Sequence, residues 1–281
     1  MTTRYVDAQM AFQGPRKVWA AGTASAVAAG DEWYTTIAGA IAAAATGDTL
    51  KVATGTYDLP ASLAWTGLIA ATGAVRYEYT PPDPLVSPLD AYCVVPAGFC
   101  VRFQNGEVAA AMGVEGSLVL DRVTTAVSGK VFNRGACVAI GSVKHPIRRD
   151  DTGAFEQYPA YFDEGRWPSQ FPVSHYRNAA VLEAPAKYRD ESGETLKRWV
   201  PVAEFRYLSK DGAAGESSAG SVNVATQMMT FFTKPGLAAH PDMKVVTRDR
   251  DYQIVGTSRP TGPGQDLRLT VTEGTGTPWA E

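Results

Sequence analysis

The chain has 281 residues, enough for about two domains of ordinary size. Hydrophobic residues make up 45% and charged residues 20%, the balance of a globular protein with a real core. The formal net charge of −3, with no clustered Lys and Arg, excludes a protein that grips nucleic acid through many phosphate contacts.

Three cysteines, Cys93, Cys100 and Cys137, are too few and too odd in number for a disulfide framework, and they fit a reducing compartment. The N-terminus lacks the layout of a secretory signal. The most apolar stretch, residues 37–45, is far shorter than the roughly 20 helical residues that span a bilayer. The expectation is a soluble chain made inside a cell, with no membrane partner.

Residues 1–30 are rich in Ala, Gly and Thr with little periodicity and read as an extended arm. Residues 31–143 read as a β-rich domain with one short helix. Within it, Ile37 and Ile41 share a helix face, Thr35 or Thr36 can cap its start, and Gly47 stands where a left-handed C-terminal turn belongs. A strand over residues 49–53 follows. The segment "YTPPDPLVSPLDAY" carries four prolines and predicts a loop or strap. Residues 99–142 alternate apolar and polar residues between Gly-bearing turns. They are compatible with a few stacked rungs or with a small antiparallel sheet. Residues 144–174 mix aromatics, charges and prolines, and are expected to form a connector without regular structure.

From residue 175 to 281 the pattern is a series of about five short strands with a turn every 10–15 residues, a small β-barrel or sandwich. Pro201 predicts a bulge or an edge. "DGAAGESSAGS" is flexible by composition. Leu267, Leu269 and Val271 share one face of the last strand, with Arg268 and Thr270 opposite. Phe231 and Phe232 fall on opposite faces, one in the core and one available for an interface.

Catalytic signals are weak. "GESSAG" has one residue too many for a nucleophile elbow. His145, His175 and His240 sit in separate loops without metal spacing, and no phosphate-binding loop is present. The reading is a non-enzyme without metal or cofactor.

Two resemblances add to this. Thr36–Ile37, Gly47–Asp48–Thr49 and Gly55–Thr56–Tyr57 resemble the capping unit of pectate-lyase-like and tailspike parallel β-helix proteins. The ordered series Arg177, Asp190–Gly193, Trp199–Ala203, Leu208–Ser209, Lys234–Gly236, Met243–Val246, Tyr252–Gly256 and Leu267–Leu269 resembles phage head-closure (stopper, head–tail adaptor) proteins. That second resemblance implies a structural virion protein at the head–tail junction. It implies a hexameric or dodecameric ring of copies beneath the portal and its adaptor ring and above tail terminator or tail tube proteins, with phage DNA passing through the lumen. Loops of the ring would close or gate the channel. On this reading Ser209, Lys210, Asp211, Gly212, Gly215, Glu216, Ser217 and Gly220 belong to a candidate channel or docking loop. Lys234, Arg248, Arg250 and Arg259 are candidate contacts to partner rings or DNA. The first resemblance leaves an alternative open: a tailspike- or collar-type β-helix that binds or cleaves surface polysaccharide.

Overall fold

The computed structural model describes residues 2–7, 19–20, 23–24, 32–125, 131–141, 148–149, 153–158, 173–211, 215–219, 222–226, 228–233, 237–248, 250–258 and 266–273. It is mainly β and forms two compact units. One comprises Met1–Ala160 with Ala186–Val200; the other comprises Tyr161–Pro185 with Pro201–Glu281.

The first unit is a parallel β-helix with three ladders. The first ladder stacks Glu32–Tyr34, Thr3–Val6, Thr49–Val52, Gly67–Ala71, Cys100–Gln104, Ser117–Asp121, Ala136–Ile140 and Ala154–Tyr158 in parallel. The second stacks Gly55–Asp58, Val75–Glu78, Glu107–Val108 and Thr124–Thr125. The third stacks Cys93–Val95, Met112–Val114, Val131–Asn133 and Arg148–Arg149. The region thus forms true parallel rungs and not an antiparallel sheet. The segment expected to be irregular supplies Arg148–Arg149 and Ala154–Tyr158 to them.

The core follows from strand alternation. One side chain per coil points inward at the same height, so Leu50, Ile69, Phe103, Leu120 and Ala139 form a column with no exposed surface. Tyr77 and Phe103 meet edge to face at 5.1 Å across this interior. Cys93 and Cys137 are buried and unpaired, and burial pushes both thiols up to about 12, so they act as small apolar groups.

The "GDT" motif closes the N-terminal end. Helix Ile37–Ala43 starts at Thr36, whose hydroxyl accepts from the Gly39 amide. Gly47 has φ +86°, which a side chain rarely adopts. Asp48 is buried beside Arg4 and pairs with it; its carboxylate also accepts from the amides of Thr2 (2.6 Å) and Ala45 (2.9 Å). One side chain thereby ties strand Thr3–Val6 to the end of the helix. At the other end, Phe155 pairs antiparallel with Lys187, and the Lys187 ammonium meets Glu156 at 3.0 Å. The tip of hairpin Asn178–Arg189/Thr195–Asp211 thus covers the last edge, which would otherwise be open to foreign strands. The tip turns at Gly193 (φ +82°) while the Asp190 carboxylate accepts from the Ser192 hydroxyl and the Glu194 amide.

The second unit is antiparallel. Strand Thr195–Asp211 pairs Met228–Thr233, which pairs Leu267–Glu273, then Asp251–Ser258, Lys244–Thr247 and Asn178–Arg189. The last is also the hairpin partner of Thr195–Asp211, so the order of pairings returns to its first strand, as in a small barrel. Two of its strands are long rather than short, with 12 and 17 residues. The longer one passes through Pro201 unbroken, because proline removes only its own donor. Leu267, Leu269 and Val271 are fully buried as their alternation requires, with Ile254, Val245 and Leu182. Phe231 sits between Tyr207 (4.3 Å) and Tyr252 (5.1 Å). Of the pair expected to leave one ring for an interface, neither is exposed: Phe232 on the opposite face is 8% exposed, with the Arg268 guanidinium over its ring at 5.5 Å.

Candidate channel and docking surface

The candidate loop residues fall on three elements. Ser209, Lys210 and Asp211 end the long strand, opposite Phe231, Thr230 and Met229. Gly215, Glu216 and Ser217 lie in a two-stranded ribbon, Gly215–Ala219 with Val222–Thr226, where they face Thr226, Ala225 and Val224. Gly212 and Gly220 lie outside the described residues. The segment read as flexible from its composition is thus largely strand. The partner strand Val222–Thr226, with Val222, Val224 and Thr226, supplies the strand-favouring residues that the Gly-, Ser- and Ala-rich segment lacks.

The candidate cations differ in availability. Lys234 and Arg259 lie outside the described residues. Arg248 is exposed in the turn between Lys244–Thr247 and Asp251–Ser258, and has no ion pair among the described residues. Arg250 is neutralised locally: its guanidinium donates to Glu273 at 2.6 Å, and its amide donates to the Thr247 hydroxyl. Sequence reasoning missed Lys244, which bridges Glu183 (3.1 Å) and Asp251 (2.9 Å) across three strands. Burial opposes its charge, but the bonds to Asp251 and Glu183 outweigh that and raise its pKa. Carboxylates placed one strand to either side of a lysine were the available signal, legible only once the pairing order was known.

The antiparallel unit pairs Lys244 and Arg250 with carboxylates, and its interior is packed with aromatic and aliphatic side chains.

Residues 171–274 match the family model of the phage head completion protein. No curated protein matches the chain. A chain of the virion of a native gene transfer agent particle is 20% identical over 34% of this chain and 93% of its own length, with a TM-score of 0.29. Protein SF1141 from Shigella flexneri 2a is 14% identical over 37% of this chain and 98% of its own, with a TM-score of 0.28. The family match covers the antiparallel strands of the second unit together with the hairpin tip at residues 186–200, under half of the chain. This C-terminal region is similar to the head completion proteins of phages, a family of structural virion proteins.

Proposed function

We propose that the chain forms a ring at the head–tail junction, joins the portal or adaptor to the tail, and helps to hold DNA in the packaged head. The observation that carries this is the head completion match at residues 171–274, which falls on the six antiparallel strands whose pairing order returns to its start. In this reading the ribbon and strand end that contain Ser209, Lys210, Asp211, Gly212, Gly215, Glu216, Ser217 and Gly220 dock on a neighbouring ring or narrow the channel. Arg248, with Lys234 and Arg259, meets acidic partners or passing DNA, and Arg250 contributes less because Glu273 already neutralises it. The β-helix braces the neck from outside.

The test is a phage deleted for this gene and complemented in trans. Filled heads that lose DNA, accumulating beside separate tails, support the proposal. Intact, tailed, DNA-filled particles that fail only in adsorption overturn it. Such particles would favour a collar or tailspike role, for which the parallel β-helix is the supporting observation; release or retention of surface polysaccharide by purified protein would then separate cleavage from binding.

A further inference from the structure

Of the large hydrophobic side chains found exposed among the described residues, three come from one short excursion: Leu85 (52%), Val86 (90%) and Leu89 (51%). The excursion joins the second and third ladders over residues 79–92, whereas the next coil makes the same connection with residues 109–111 alone. The β-helix does not need it.

The excursion is nevertheless built to one shape. The Asp90 carboxylate accepts from the amides of Val86 (2.9 Å) and Ser87 (2.6 Å), the Ser87 hydroxyl accepts from the Leu89 amide, and the Tyr79 hydroxyl donates to the Asp90 carbonyl. A capping box and a 3₁₀ turn over Pro88–Ala91 complete it. Polar groups fix the backbone while apolar side chains face outward. That arrangement lowers the ordering cost of docking.

Beside it lies a groove of about 210 Å³ lined by Tyr92, Val94, Gly113 and Phe132, with Glu115 and Arg134. Val94, Gly113 and Phe132 are register partners on the outward side of the third ladder. Tyr92 and Phe132 stand 6.4 Å apart as walls, and Gly113 leaves the floor bare. Leu89 belongs to both knob and groove.

We infer that the knob of Leu85 and Val86 seats in the Tyr92–Gly113–Phe132 groove of a second copy of this chain. Size selects this occupant. Three side chains cover roughly a few hundred Å², well below the ~1,200 Å² of a stable free-standing interface. The patch is therefore too small to hold a freely diffusing partner stably. It suffices between subunits that another contact already keeps at high effective concentration. This rests on the ring reading, in which the barrels supply that contact.

The test uses the full chain, with p-benzoylphenylalanine in place of Val86, in assembled particles containing mixed isotope-labelled copies. Expected are cross-links from position 86 to peptides containing Tyr92, Gly113 or Phe132 of another copy. Gly113→Val should cut their yield at least tenfold. A Cβ at Gly113 meets only ordinary contacts, at 3.5 Å to Val94 and 3.6 Å to Tyr92, on the outward side of a strand, and an unchanged circular dichroism spectrum and melting curve of Gly113→Val confirm that its fold is kept. Cross-links confined to one chain, cross-links only to other virion proteins, or a yield indifferent to Gly113→Val overturn the inference. Copies confined to the particle's unique vertex without the inter-copy cross-link would sink this inference alone. The cross-link in copies located elsewhere would sink the ring reading alone.

Discussion

Replacing Asp48 by Ala tests the clamp at the start of the β-helix. The side chains of Arg4 and Asp48 are 9% and 4% exposed, so truncating the acid leaves a buried guanidinium without this counter-charge, and the amides of Thr2 and Ala45 lose their acceptor. Removing one partner of a buried ion pair costs about 3–5 kcal/mol. At about 2–4 °C per kcal/mol for a domain of this size, the melting transition should fall by roughly 6–20 °C. Scanning calorimetry of the full chain reads it directly. The double variant Arg4→Met/Asp48→Leu should recover part of the loss, because it removes the uncompensated guanidinium while the amides of Thr2 and Ala45 still lack their acceptor. The pH dependence has a definite sign. Burial alone would raise the Asp48 pKa; the amides of Thr2 and Ala45 and the charge of Arg4 outweigh it and hold the carboxyl below its usual value. Its contribution is present above the unfolded carboxyl pKa and is lost as pH falls through the depressed folded value. A single variant within about 1 kcal/mol of wild type, or a double variant as unstable as the single, would refute the clamp.

Gly135→Ala should destabilise the β-helix by about 1–3 kcal/mol, because its Cβ would stand 2.1 Å from the Gly116 carbonyl oxygen and 2.6 Å from that of Glu115; denaturant unfolding followed by circular dichroism checks this. Phe231→Ala should cost about 3–5 kcal/mol, since a ring packed between Tyr207 and Tyr252 leaves a cavity in the barrel; calorimetry reads that loss. Arg250→Ala should change stability by no more than about 1 kcal/mol, as its pair with Glu273 is solvent-exposed. Arg248→Glu should leave the melting curve unchanged while lowering the yield of joined, DNA-retaining particles in complementation. Equal yields from Arg248→Glu and wild type would remove Arg248 from the docking surface.

Local chemistry was the legible part of this sequence. Thr36, Gly47 and Asp48 announce a capped helix and a turn because capping and positive φ depend on neighbours in the chain. Leu267, Leu269 and Val271 announce a buried face because alternation is a property of one strand. Parallel stacking was legible only as one of two alternatives, through the resemblance of the Gly47–Thr49 and Gly55–Tyr57 unit to a β-helix cap, since stacking joins residues far apart. From Thr49 onward partners on successive coils lie 17 to 19 residues apart except at Leu68 and Arg102, which the excursion separates by 34, and with Thr3 and Thr49 46 apart the period is hidden. The strands near residues 148 and 154 were missed for the same reason: a short, charged segment becomes a strand when a preceding coil offers it hydrogen bonds. Phe232 was read from alternation alone, and its cover by Arg268 comes from the neighbouring strand. In the candidate loop, glycine content suggested mobility, whereas cross-strand partners such as Ser217 and Val224 supply pairing.

The most direct test of the central claim is the position of the chain in the intact particle. A small C-terminal tag, labelled with gold and imaged by electron microscopy, should mark only the junction between head and tail, where the account places a ring carrying the head completion barrel. Label at the distal tip of the tail, or scattered over the head, would contradict it.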